Sequence, residues 1–269
     1  MYIHKKLNGT MWIAISVGLC LILGLMSCSI SDPFNRDQDA IAVESFDYRF
    51  ELDSVAALEI DGINGNMEII GTDGDSIHIW GDRLVRSDTQ ADADAHLDQL
   101  QVNVRKGDSA LLVETEQPEE SQGRSYEVDY HVRLPRSLAV AAHLVNGDIG
   151  VDEIINEVEM KLVNGDIDCQ NIEGSCSGSV VNGEINCEMI VSDQEQCSLS
   201  TVNGDVTLEI YKTSSAELRA QVTNGSISVE GLQVTNQQIS KTTFYGVIGD
   251  GLGMIQLQTV NGDIEVKGK

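Results

Sequence analysis

Basic residues are scarce in this 269-residue chain: 17 Lys and Arg stand against 43 Asp and Glu, a formal charge of −26. So acidic a surface repels nucleic acid and anionic lipid headgroups, which excludes a charge-driven grip on either. It attracts divalent cations or basic partners, or simply keeps the chain soluble. Catalytic signatures are missing too. His4, His78, His96, His131 and His143 fall in no partnered motif, and neither Gly-x-Ser-x-Gly nor His-Glu-x-x-His occurs. No Cys-x-x-Cys or nearby His supports a zinc site. Past Pro135 the aromatic residues are Tyr211, Phe244 and Tyr245 alone, and Arg136, Lys161, Lys212, Arg219, Lys241, Lys267 and Lys269 are the only cations. A groove for acidic polysaccharide needs cations and stacking rings, so a polysaccharide-active enzyme is the remote alternative. The glycine-rich run FYGVIGDGLG (Phe244–Gly253) lacks the Gly-Lys-Ser/Thr ending of a phosphate loop and predicts a glycine-bent strand.

What is present begins with the N-terminus. Lys5 and Lys6 precede the apolar run MWIAISVGLCLILGLM, which ends in Leu25-Met26-Ser27-Cys28. A basic start, a short apolar core and a small residue before cysteine predict a bacterial lipoprotein signal over residues 1–27, with Cys28 as the lipidated residue. Bulky Leu19 before Cys20 disfavours that alternative. The apolar run is short for a spanning helix. Cleavage before Cys28 would leave 15 basic against 43 acidic residues, a formal charge of −28. The expected membrane contact is therefore the acylated Cys28, not charge. Ser29 in place of Asp favours the outer membrane, with the surface or periplasmic face undecided. Residues 28–43 are polar and aperiodic and read as a tether.

Two regions follow. Residues 44–137 predict an N-terminal β region. In it LEIDGINGNMEIIGTDGDSIHIWG alternates around the turn pairs Asn64-Gly65 and Asp73-Gly74. Asp88–Leu100 is the one credible helix, capped by Asp88 or Thr89, with acid in its first turns to suit the helix dipole. Pro135 closes the last strand of this region.

Residues 138–269 are a repeat array. The phrase LVNGDI stands at Leu144–Ile149 and again at Leu162–Ile167, followed by VVNGEI, TVNGDV, VTNGSI and TVNGDI. Its turn pairs are Asn146-Gly147, Asn164-Gly165, Asn182-Gly183, Asn203-Gly204, Asn224-Gly225 and Asn261-Gly262, at steps of 18, 18, 21, 21 and 37 residues. The last step is read as two repeats, one of them degenerate. Apolar residues recur six and two places before each Asn and three, five and eight places after it, with polar residues between. That is strand, turn, strand with one face inside. An antiparallel meander of such hairpins would leave one broad apolar face uncovered. A single-stranded β-solenoid with rungs of about 18–21 residues encloses it, so the expected class is all-β. Asn-Gly is then chiefly a corner, because Gly takes positive φ freely and Asn tolerates it.

Two sets of side chains could carry chemistry. Asp148, Asp166, Glu184 and Asp205 would stack as an acidic ladder able to hold Ca²⁺ weakly. Two unit charges 5 Å apart in water repel by only about 0.8 kcal/mol, so the ladder needs no metal. No other cofactor is expected. Cys169, Cys176, Cys187 and Cys197 fall in inward columns of neighbouring repeats. Order leaves three arrangements open: disulfides across adjacent rungs (Cys169 with Cys187, Cys176 with Cys197), disulfides within a rung (Cys169–Cys176, Cys187–Cys197), or buried free thiols.

The recurring V-N-G-D-I phrase, the glycine-marked TTFYGVIGDGLG before the terminal TVNGDIEV, and the lipoprotein start resemble the bacterial adhesin-like β-strand-repeat family, related to auto-transporter adhesin head domains. The similarity covers roughly residues 45–269. It implies a β-solenoid envelope protein without known catalytic residues, so none are carried over. The function expected is a non-enzymatic lipoprotein presenting an acidic solenoid for adhesion or for binding a protein or glycan. The alternative is a periplasmic envelope-stress or regulatory accessory.

Overall fold

The computed structural model describes residues 40–52 and 55–269. Cys28, the expected signal peptide and most of the expected tether lie outside the described residues. The first described strand starts at Ala40, a little before the expected Glu44, and belongs to the compact unit Gln38–Lys269.

The chain opens with β1 (Ala40–Glu51), then β2 (Ala57–Asp61) and β3 (Met67–Thr72) on either side of Asn64-Gly65. β4 (Ser76–Ser87) leads to helix α1 (Gln90–His96), a short 3-10 turn and strands β5 (Gln101–Lys106), β6 (Ala110–Glu116) and β7 (Ser125–Pro135). As the sequence predicts, Thr89 caps α1, its hydroxyl accepting the amide N–H of Asp92 at 3.3 Å. Asp92, in the first turn, is gripped by Arg124 through Nε at 2.7 Å and Nη2 at 2.8 Å, and the Ser87 hydroxyl donates to it as well. With only Ala93 buried, α1 is held by this clamp more than by apolar area.

Each later Asn-Gly phrase joins two strands: β8 (Ala139–Asn146) and β9 (Ile149–Asp152), β10 (Val158–Asn164) and β11 (Ile167–Ile172), β12 (Cys176–Asn182) and β13 (Ile185–Met189). Then come β14 (Gln196–Asn203) and β15 (Val206–Ile210), and β16 (Ala216–Asn224) and β17 (Ile227–Glu230). After β18 (Val234–Ile239) and β19 (Thr243–Ile248), the chain ends in β20 (Gly253–Asn261) and β21 (Ile264–Gly268).

The first strand of every phrase lies in one sheet and the second in the other. One sheet runs β1-β4-β7-β3-β9-β11-β13-β15-β21-β17, the other β18-β19-β16-β20-β14-β12-β10-β8-β2-β6-β5. Pairing is parallel between phrases, and equal columns stand side by side: Leu144 by Leu162, Leu162 by Val180, Val180 by Thr201. Antiparallel strands close three of the four sheet ends: β1 on β4, β5 on β6, and β18 on β19. The inward columns of both sheets make one apolar core, in which each fully buried Val, Leu or Ile contributes about 1.5–3 kcal/mol.

Two features depart from the sequence reading. Asn64-Gly65 is itself a member of the array: β2 pairs with β8 and β3 with β9, so both sheets run through the expected boundary at 137/138. The final phrase is also out of order. β20 lies between β14 and β16, and β21 between β15 and β17. No degenerate rung fills the 37-residue step; the extra residues form the β18–β19 hairpin, which lets the chain double back past β16. The expected bent strand at Phe244–Gly253 resolves into β19, a turn and the start of β20.

Candidate functional site

The turn edge carries two side-chain ladders. Asn146 Nδ2 donates to Asn64 Oδ1, Asn164 to Asn146, Asn182 to Asn164, Asn203 to Asn182, Asn261 to Asn203 and Asn224 to Asn261, all at 2.8–2.9 Å. Asn64 closes the series on the carbonyl of Tyr126. Beside it the acidic column binds backbone. Asp148 Oδ1 accepts the N–H of Asp166 at 2.9 Å, Asp166 that of Glu184 at 2.8 Å, and Asp205 that of Asp263 at 2.7 Å. One oxygen of each of these aspartates is thus committed to the next rung. Between the ladders, Gly147, Gly165 and Gly183 take φ of 125°, 133° and 148°. A Cβ on any of them would strike the carbonyl oxygen of the preceding rung's glycine. Apart from its second letter, which is exposed at Val145 and Val202, the phrase therefore specifies architecture throughout.

The four cysteines are buried and free. Cys169 and Cys187 are register partners on β11 and β13, and Cys176 and Cys197 on β12 and β14, as the columns predict. The close approach is one that the sequence did not single out: Cys176 Sγ lies 4.0 Å from Cys187 Sγ, across the core. Hydrogen bonding to the thiols of Cys176 and Cys187, together with burial, holds the Cys169 thiol well above its ordinary pKa.

Where the array meets β1, β4 and β7, the outer face of the first sheet gathers what composition made scarce. Asp47, Trp80, His131, Glu68, Gly150 and Asp168 are successive register partners across β1, β4, β7, β3, β9 and β11. The Trp80 ring is stacked with His78 at 4.3 Å and with His131 at 5.5 Å between ring centroids, and the Arg133 guanidinium lies over it at 5.7 Å. Asp47 receives His78 at 2.9 Å and Glu68 receives His131 at 2.8 Å. The hydrogen bond from His78 lowers the Asp47 pKa. Next to the stack, Glu68, Asp82, Asp129, His131, Asp148 and Asp168 line a shallow depression, with Gly150 contributing no side chain to fill it. Chemically the face offers a half-buried indole with acceptors around it.

On the second sheet His143 Nδ1 lies 2.7 Å from Asp61, and on α1 His96 pairs with Asp92. Every described histidine thus sits against a carboxylate, although none falls in a partnered sequence motif. The cross-strand partners lie 31, 63 and 82 residues away, beyond any local motif. Strand alternation does place His78, Trp80 and Asp82 on one face, and Asp129, His131 and Arg133 on another. Which strands adjoin is what the sequence hides. Among the described residues, three-ligand clusters occur at Cys169, Cys176 and Cys187 and at Glu59, Asp61 and His143; the acidic ladder forms none.

An all-β stack of parallel, Asn-Gly-cornered strands is the class these observations define. Residues 52–267 match the Toastrack DUF4097 family, and the chain belongs to it. Similar solved structures include a candidate cell adhesion protein from Clostridium sporogenes, 11% identical over 85% of this chain and 100% of that one, with a TM-score of 0.49. A candidate adhesin from Bacteroides fragilis is 9% identical over 84% and 97%, TM-score 0.32. One from Parabacteroides merdae is 11% identical over 85% and 96%, TM-score 0.23. No curated protein matches the chain.

Proposed function

We propose that this chain is a non-enzymatic lipoprotein of the cell envelope, wound as a single-stranded β-solenoid and anchored through Cys28, that presents its acidic face for adhesion or for binding a protein or glycan. The Trp80 stack carries this reading. A half-buried tryptophan packed against two histidines, themselves fixed by carboxylates, is a rigid aromatic surface whose remaining exposed part can meet a sugar ring or an apolar side chain, ordered before the ligand arrives. Asp82 and Asp129 beside it can accept hydrogen bonds from hydroxyl or amine groups. The ladders support the same reading, since they stiffen the scaffold behind the face.

The test has two arms. Trp80→Ala should reduce binding of the purified protein to host cells or an immobilised glycan library by about tenfold or more, since aromatic anchors commonly contribute over 1.4 kcal/mol. Equal binding by the variant would remove the face from the proposal. Protease shaving of intact cells, with a Cys28→Ala control, should degrade the domain on the surface. Protection until lysis would instead favour the periplasmic accessory.

A further inference from the structure

The geometry points to a buried soft-metal site, a Cu(I) ion held by Cys169, Cys176 and Cys187 in the core between the two sheets. The sulfur atoms of the three residues lie within 4.8 Å of one another, and Cys176 and Cys187 are 4.0 Å apart. A metal–thiolate bond of about 2.3 Å places sulfurs about 4.0 Å apart in a trigonal plane and about 3.8 Å apart in a tetrahedron. One edge of the triangle already has the trigonal value, and the others need only small side-chain adjustments. Met160 Sδ lies 3.7 Å from Cys169 Sγ and adds a thioether to the same pocket.

The donor set selects the ion. Three thiols and a thioether are soft ligands, and no buried oxygen or nitrogen side chain occurs between Val158 and Met189 to suit a hard cation. Zinc prefers four donors, and Cys197 lies outside the triangle. A disulfide fits the close pair poorly. Cys176 and Cys187 face each other from opposite sheets, which pack about 10 Å apart, whereas a disulfide spans Cα atoms roughly 4.4–6.8 Å apart. Each cysteine that becomes a ligand releases its thiol proton to solvent, and no electron is transferred.

The site is 1–3% exposed, so uptake is measured both by adding Cu(I) to the folded, fully reduced protein and by refolding it with Cu(I) present. Both are done anaerobically against a chromophoric Cu(I) chelator. The expected result is one Cu(I) per chain, with only sulfur at about 2.2–2.3 Å in X-ray absorption. Cys176→Val and Cys187→Val should weaken binding by more than the roughly 10–100-fold that losing an outer-shell group costs. Val158 already stands beside Cys176 in its column, and Val151 beside Cys169, so valine suits these positions. Cys197→Val should retain the ion. Failure of both loading routes, binding unaffected by the two Val variants, oxygen or nitrogen ligands, or Zn²⁺ displacing Cu(I) would each overturn the assignment.

Discussion

Asn182 and Gly183 show how much one turn residue contributes and by what means. Asn182 donates to Asn164 and accepts from Asn203, both at 2.8 Å, but on an exposed edge where water competes. Asn182→Ala should therefore cost only about 1–2 kcal/mol. Gly183 is different. Its φ of 148° and the carbonyl of Gly165 against its Cα leave no place for a side chain. Gly183→Ala should cost about 2 kcal/mol or more, the strain of a disallowed backbone added to a steric displacement. Urea unfolding of the two variants decides the order. A larger loss for Asn182→Ala would make the amide ladder, rather than the close backbone approach, the main constraint. The same scale explains two polar residues in an apolar column: Thr201 and Thr259 donate their hydroxyls to the carbonyls of Gly183 and Gly204 at 3.0 and 2.9 Å.

At the scale of elements, α1 is the piece that chemistry fastens most locally. Arg124, foremost, and then Ser87 hydrogen-bond Asp92 and hold its carboxyl well below the usual carboxylate range. A depressed folded pKa stabilises the fold above the unfolded carboxylate value of about 3.9. That contribution fades as pH falls below this value toward the depressed one. Asp92→Asn should thus destabilise α1 at neutral pH, and the gap from the parent protein should narrow as the solution is acidified below about pH 4. Helical circular dichroism and unfolding midpoints across pH measure it; a pH-independent gap would mean the clamp acts through shape alone. The cap, the acidic first turn and the helix itself were legible because they depend on neighbours in sequence. The clamp was not, since Arg124 lies 32 residues away on the far side of two strands. The meeting of Trp80 with His131 was hidden for the same reason: alternation tells which residues share a face, while only strand order tells which faces meet.

At the largest scale the described residues form a stack in which the rung latest in sequence is not the outermost one. Columns aligned on Asn-Gly showed that equal positions would stand together, and they do. Alignment carries no information about order along the stack, because any rung's edge fits any other's. That is why the insertion of β20 and β21 beside β14 and β15 could not be read from spacing, and why Asn64, separated from its neighbour Asn146 by 82 residues of sequence that include α1, went unrecognised as a rung. Removing Leu252–Lys269 should therefore do more than shorten the array. β16 and β17 would lose the strands that join them to the rest, and Ala216–Ile248 should exchange its amides rapidly while the rungs before β15 stay protected. Hydrogen exchange on the truncated chain tests this; retained protection over Ala216–Ile248 would mean that β16 can re-pair with β14 directly.

The seven Asn-Gly corners also act as a chemical clock. Asparagine before glycine ages by attack of the glycine nitrogen on the side-chain amide, closing a succinimide that opens mostly to isoaspartate. In the stack that nitrogen is occupied: Gly65, Gly147, Gly165, Gly183, Gly204 and Gly262 each donate N–H to an Asn carbonyl on the next rung at 2.9–3.1 Å. Gly225, on the outermost corner, has no such backbone bond among the described residues. Asn224 should deamidate first in the folded protein, and all seven together once the chain is unfolded, as peptide mapping for isoaspartate after long incubation would show. Every conversion adds a negative charge to an already acidic edge and removes an amide donor from the ladder, so a molecule that has aged at Asn224 passes its vulnerability to the next rung, Asn261.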